Sequence, residues 1–102
     1  MRIAKEETFG PVATIISYGN EDEAVRIAND TAYGLSATIS GDPAKAAKVA
    51  RKMRAGLVTI NSWSPDPGAP FGGYKQSGNG REYGKWGLGD FMEVKSVVGE
   101  PA

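Results

Sequence analysis

Apolar positions along this chain change their period several times, and each change predicts an element. Residues 12–18 are almost continuously apolar or β-branched, with Val12, Ile15 and Ile16 in the run, which is the composition of a strand covered on both faces. Asn20 is a good helix N-cap, Glu23 follows three residues later, and Glu21 and Asp22 suit a positive helix N-terminus. Ala24, Ile27, Ala28 and Thr31 then recur on one helical face, and the helix is expected to stop near Tyr33 and Gly34. Residues 35–40 alternate as a second strand. Asp42 followed by Pro43 starts a second helix, with Ala46, Val49, Ala50 and Met53 as its buried stripe. Lys48, Arg51, Lys52 and Arg54 load its end with positive charge, and Gly56 closes it. Residues 57–61 read as a third strand.

The fold class is therefore α/β: a three-stranded parallel β-α-β-α-β unit over residues 1–61, with crossovers long enough to hold helices. Residues 62–80 break the pattern. They carry five glycines and three prolines, and an irregular stretch of that length in a compact domain tends to be functional. Residues 81–91 predict a weak helix interrupted by Gly84, Gly87 and Gly89. Residues 62–91 are thus taken together as a Gly/Pro-rich loop and helix. Residues 92–102 contain the last expected strand, 93–98, and a tail.

Composition narrows the chemistry more than the fold. The 102 residues hold 12 basic and 12 acidic side chains, so no net field points to nucleic acid or an anionic membrane. No apolar run approaches the ~18 residues needed to span a bilayer, and no apolar signal region opens the chain; a cytoplasmic protein is the expectation. Cys and His are both absent. Thiol nucleophiles, disulfides, thiolate metal sites and imidazole bases are thereby excluded from this chain.

The remaining candidates each have a plainer alternative. Residues 73–78 have the spacing of a phosphate loop, but Asn79 stands where its lysine belongs. Glu6 and Glu7 are adjacent, so an extended backbone sends them to opposite sides. Lys75 and Arg81 flank the glycine-rich loop as possible anion ligands, and Lys75 as a possible imine-forming amine; a solvated lysine is the commoner case. Six of the nine aromatics fall in the last forty residues, where they line a pocket or make a satellite core.

Five runs carry a family resemblance. Glu6-Glu7-Thr8-Phe9-Gly10-Pro11-Val12 resembles the Glu-Glu-Ile-Phe-Gly-Pro-Val element of the aldehyde dehydrogenase superfamily. Asn29, Tyr33, Gly34, Leu35, Ser36 and Ala37 fit its Asn-x-x-x-Tyr-Gly-Leu-Ser-Ala run, and residues 56–61 fit its Gly-x-Val-x-Val-Asn. Residues 70–82 are similar to its Pro-Phe-Gly-Gly-x-Lys-x-Ser-Gly-x-Gly-Arg-Glu, and residues 83–97 continue the pattern through Glu93 and Lys95. The resemblance covers nearly the whole chain, in order.

The resemblance implies the C-terminal portion of an enzyme that oxidises an aldehyde to a carboxylic acid with NAD or NADP. It implies that Glu7 binds the nicotinamide-ribose hydroxyls and that Phe9 packs near the nicotinamide, on the same side of an extended segment. Phe71 then lies near the acyl pocket and Trp63 in the segment shaping the aldehyde entrance. The final strand would join an oligomerisation sheet, so a homo-oligomer is expected. The family's cysteine nucleophile, its glutamate base, its oxyanion-holding asparagine and its dinucleotide-binding domain belong to upstream elements. This chain is accordingly expected to contribute no catalytic residue and no metal ligand, to bind no cofactor tightly alone, and to be inactive in isolation. A self-associating assembly module without chemistry and a small phosphate or nucleotide binder are the alternatives.

Overall fold

The computed structural model describes residues 1–62 and 66–100. A single turn of 3-10 helix, Arg2–Ala4, opens the chain. It is followed by helix α1 (Glu21–Asn29), strand β1 (Tyr33–Gly34), strand β2 (Ser36–Ile39), helix α2 (Pro43–Ala50), strand β3 (Leu57–Ile60), strand β4 (Tyr74–Lys75) and helix α3 (Gly84–Gly89).

Both longer helices start where their capping residues stand. The Asn20 side chain accepts a hydrogen bond from the Glu23 N–H, and the Glu23 carboxylate reaches back to the Gly19 N–H at 2.8 Å, a reciprocal arrangement that satisfies donors left over at a helix start. Asp42 caps α2 through the Lys45 N–H, with Pro43 at the first helical position. The helices end earlier than expected, at Asn29 and Ala50 rather than near Tyr33 and Gly34 and at Gly56.

β2 and β3 pair in parallel, Ser36 opposite Leu57 through Ile39 opposite Ile60, with α2 as the connection lying against both. This is one βαβ unit. The Thr38 and Thr59 hydroxyls meet across it at 2.9 Å. β1 and β4 form a separate two-residue antiparallel pair, Tyr33 opposite Lys75 and Gly34 opposite Tyr74. β4 lies within the stretch expected to be irregular, and β1 where the first helix was expected to stop.

Two expected strands are absent. The three-stranded parallel unit is a two-stranded one, because residues 12–18 are extended but join no sheet among the described residues. Their only backbone bond is a local one, from the Val12 N–H to the Gly10 carbonyl. Residues 93–98 likewise join no sheet. The reason is the same for both: composition prepares a strand, but a strand exists only with a hydrogen-bonded neighbour, and neither segment has one among the described residues. The 81–91 helix shrinks to α3, because Glu82 belongs to the Phe71 bridge and Tyr83 sits at φ 64°, outside helical space.

The core is minimal. Ala46, 3% exposed, is the buried hydrophobic residue of the βαβ unit. The radius of gyration is 18.2 Å, with extents of 68 × 33 × 23 Å, against about 13 Å for a compact domain of this length. No helix among the described residues is long and apolar enough to cross a membrane.

Candidate functional site

The glycine-rich segment is held to the rest of the chain by a chain of side-chain clamps. Asn29, the last residue of α1, donates through its amide nitrogen to the Lys52 carbonyl at 2.9 Å and accepts from the Arg54 N–H at 2.8 Å. It thereby fixes the turn leading into β3. The Lys52 ammonium crosses back to Glu21 and Asp22 at the start of α1, 2.9 and 3.2 Å away, where acidic groups also favour the helix dipole.

From the other side, Lys75 donates to the Asn29 and Thr31 carbonyls at 2.8 and 3.0 Å, capping the carbonyl end of α1. Its backbone lies at φ 54°, a conformation uncommon for lysine and maintained here by those two bonds. Ser77 accepts from the Gly34 N–H at 3.0 Å, and the Gln76 N–H reaches the Ala32 carbonyl. Tyr74 lies between two guanidinium groups, Arg54 at 5.3 Å and Arg81 at 5.8 Å from its ring centre, within cation–π range.

Arg81 closes the loop. One of its guanidinium nitrogens donates to the carbonyls of Gly73, Asn79 and Gly80, at 2.9, 3.4 and 2.8 Å. Around that guanidinium the chain passes so close to itself that only glycine fits: a Cβ on Gly72 would strike the Gly80 carbonyl and Arg81 itself, and a Cβ on Gly56 would fall on the Gly72 carbonyl oxygen. Phe71 and Glu82 then exchange both backbone hydrogen bonds, at 2.8 and 2.7 Å. Phe71 is left half-buried at the mouth of this clamp.

This geometry corrects three readings of the loop. Residues 73–80 turn carbonyl oxygens, not N–H groups, toward their centre and fill it with a guanidinium, so they offer no phosphate cradle. The backbone donors of Gln76, Ser77 and Gly78 are already committed to carbonyls within the chain. Lys75 and Arg81 bind backbone carbonyls rather than an external anion, and Lys75, exposed and hydrogen-bonded, lacks the desolvated setting an imine-forming amine needs. The clamp residues Asn29 and Ser77 carried no assigned role in the sequence. The available signal was an asparagine closing a helix four residues before a Tyr-Gly step.

The N-terminal candidates occupy a different setting. Arg2 and Glu6 form a two-pronged ion pair at 2.9 Å, and the guanidinium lowers the Glu6 carboxyl pKa. Lys5 pairs with Asp30 at 2.7 Å. The hydrogen bond and charge of Lys5, aided by Arg26 and Lys75, lower the Asp30 pKa. That bridge anchors residues 1–6 to the end of α1. Glu7 has no ion pair among the described residues, and Phe9 is 92% exposed.

Clefts are found among the described residues. One, of about 220 Å³, lies between the end of α1, β1–β2 and the turn at Met53 and Arg54. The other, of about 510 Å³, lies beside α3 and is lined by residues from Arg81 to Phe91. Glu7, Phe9 and Phe71 line neither. Trp63 lies outside the described residues. No group of three metal-ligating side chains is present among the described residues.

Comparison with known proteins accounts for a chain that is locally well made and globally uncovered. The family model "Aldehyde dehydrogenase family" matches residues 1–97. The chain is 55% identical over 100 residues to a 3-succinoylsemialdehyde-pyridine dehydrogenase from a Pseudomonas species, covering 97% of this chain and 21% of that protein. Its fold matches aldehyde dehydrogenase C of Pseudomonas syringae, solved as a cysteine-to-alanine mutant with NAD+ and octanal, at a TM-score of 0.91 and 56% identity, over 100% of this chain and 21% of that one. It matches a Mycobacterium tuberculosis aldehyde dehydrogenase complexed with NAD+ at the same TM-score and 48% identity, over 98% of this chain and 21% of that one. The chain thus spans about a fifth of the length of these relatives. Extended segments without partners, a glycine-rich clamp around Arg81 and a match over nearly every residue have one common explanation: the chain belongs to the aldehyde dehydrogenase family.

Proposed function

We propose that this chain forms one wall of the cofactor-and-aldehyde chamber of an NAD(P)-dependent aldehyde dehydrogenase, with the reactive thiol and the general base supplied by other polypeptide. The complete enzyme oxidises an aldehyde to a carboxylic acid, and NAD(P), when bound, supplies the hydride acceptor. The Glu7 carboxylate, carrying no ion pair among the described residues, accepts hydrogen bonds from the nicotinamide-ribose hydroxyls. Phe9, two residues on and sharing its face of an extended backbone, packs its exposed ring at the nicotinamide. Phe71, fixed by the Arg81 clamp, and Trp63 shape the aldehyde passage and exclude water from it.

The observation carrying this reading is the match of the whole chain to one part of a dehydrogenase described in complex with NAD+ and octanal. The absence of Cys and His supports the division of labour, since a thiohemiacetal needs a thiolate. The test is turnover. The isolated chain, given NAD+ or NADP+ and aliphatic or aromatic aldehydes, is expected to form no reduced cofactor above background. A cofactor-dependent rate abolished by Glu7→Ala contradicts the reading.

A further inference from the structure

We infer that Asn79, with Gly80 after it, is a spontaneous modification site: its side-chain amide is displaced by the backbone, and the product loosens the clamp around Arg81. The chain holds four asparagines, and three have their side chains engaged. Asn20 accepts from the Glu23 N–H, Asn29 bonds to the backbone of Lys52 and Arg54, and Asn61 accepts from the Gly41 N–H. Asn79 takes part only through its backbone carbonyl, which accepts from Arg81; its side chain has no hydrogen-bond partner among the described residues. Asn79 is also the asparagine that a glycine follows, whereas Glu21, Asp30 and Ser62 follow the others.

The glycine decides the chemistry. Gly80 has no Cβ to obstruct the approach of its nitrogen to the Asn79 side-chain carbonyl. Its N–H makes no backbone hydrogen bond among the described residues, and both residues are exposed, so water reaches them. In the reaction the Gly80 nitrogen gives up its proton and bonds to the Asn79 Cγ. The Cγ–Nδ2 bond breaks, and ammonia departs with that proton. Water then opens the cyclic imide at either carbonyl, leaving aspartate or isoaspartate, with nothing oxidised or reduced. Asparagine is thermolabile for this kind of reason.

The site sits on the clamp itself. The Arg81 guanidinium donates to the carbonyls of Gly73, Asn79 and Gly80 at 2.9, 3.4 and 2.8 Å. A carboxylate at position 79, two residues away, competes for that guanidinium with charge-assisted hydrogen bonds, which are stronger than those to neutral carbonyls. Isoaspartate does more, because the backbone then runs through its Cβ and gains a carbon just before Gly80. The Gly80 carbonyl is displaced, and with it Gly72, which approaches that carbonyl too closely to carry a Cβ. The Phe71–Glu82 pair, bonded in both directions at 2.8 and 2.7 Å, is the next contact to open.

The experiment incubates the chain at physiological temperature in neutral and in mildly alkaline buffer, and follows it by peptide mass mapping with isoaspartate-specific methylation. Asn79 is expected to exchange its amide for a carboxyl group, several times faster in the alkaline buffer, while Asn20, Asn29 and Asn61 keep their amides. In the converted chain the Phe71 and Glu82 N–H groups are expected to lose amide-exchange protection, while β2 and β3 keep theirs. Gly80→Ala is sterically tolerated, since an added Cβ meets only the Asp90 Oδ2 at 3.8 Å, and it is expected to slow conversion by about an order of magnitude. Asn79→Gln, whose larger imide ring closes far more slowly, is expected to keep both its amide and its protection. Retention of the Asn79 amide overturns the proposal. So does conversion at an equal rate in Gly80→Ala, or unchanged protection at Phe71 and Glu82 once Asn79 has converted. None of these readouts involves turnover, so their failure leaves the cofactor assignment of Glu7 and Phe9 untouched.

Discussion

The segment 29–82 and the two extended arms that flank it, residues 7–18 and 91–98, reach opposite outcomes, although the arms are the richer in apolar and β-branched residues. In the first, polar groups find partners inside the chain: Asn29 bridges to the turn before β3, Lys75 caps α1, Ser77 holds β1, and Arg81 gathers three carbonyls. In the arms, Ile15, Val94 and Val97 remain in water and their backbone makes no hydrogen bond to other backbone among the described residues. The difference is one of partners: the clamp finds its own within the chain, and the arms find none among the described residues. Phe71 is held by backbone bonds within the chain, whereas Glu7 and Phe9 lie in an arm that joins no sheet among the described residues.

The comparison breaks most severely at Gly56. Gly56→Ala pushes a methyl group into the Gly72 carbonyl and is expected to destabilise the clamp by about 3 kcal/mol, seen as lost amide-exchange protection in β3 and β4. Arg81→Met removes the donor shared by three carbonyls; the expected loss is about 2 kcal/mol in urea denaturation. Arg81→Lys restores only part of it, because an ammonium is a point charge without the planar fork.

A smaller effect, sensitive to pH, tests the hinge between the two regions. The Asp30 pKa is lowered in the folded chain by Lys5, so the Lys5–Asp30 bridge contributes fully above the unfolded carboxyl value of about 3.9. The contribution is lost as pH falls through the lower folded value. Residues 1–6 are expected to detach from α1 in that acidic window, visible in the amide chemical shifts of Lys5 and Asp30. Asp30→Asn abolishes the transition, and added salt weakens the exposed pair at neutral pH. The smallest change is predicted in the arms: Ile15→Ser alters the stability of the isolated chain by less than about 0.5 kcal/mol, a value that sharpens the contrast because the same substitution in a covered strand would cost far more.

What could be read in the sequence follows the same division. The capping of α1 by Asn20 and of α2 by Asp42 and Pro43 was legible because a helix start is decided by a few adjacent residues. The parallel pairing of β2 with β3 was legible because α2 connects them directly. The third strand of that unit was not, since residues 12–18 have the right composition and no strand neighbour among the described residues. β4 escaped notice because two residues inside a glycine-rich run carry no periodicity, and its pairing with β1 is decided by Lys75 and Ser77 across forty residues of sequence. Lys75 and Arg81 were legible as charges but not as staples, because the carbonyls they bind come from turns that only the folded backbone brings near. Glu7 and Phe9 were identified through resemblance alone, which their exposed positions do not replace.

The most direct measurement uses the covalent fusion of this chain with the remainder of the Pseudomonas syringae enzyme, and compares the KM for NAD+ with Glu7 and with Glu7→Gln. Losing a charged acceptor for the ribose hydroxyls costs about 1.5–3 kcal/mol, so KM is expected to rise roughly tenfold or more while the aldehyde KM stays nearly constant. An unchanged KM for NAD+ in an otherwise active fusion contradicts the assignment of this chain to the cofactor wall.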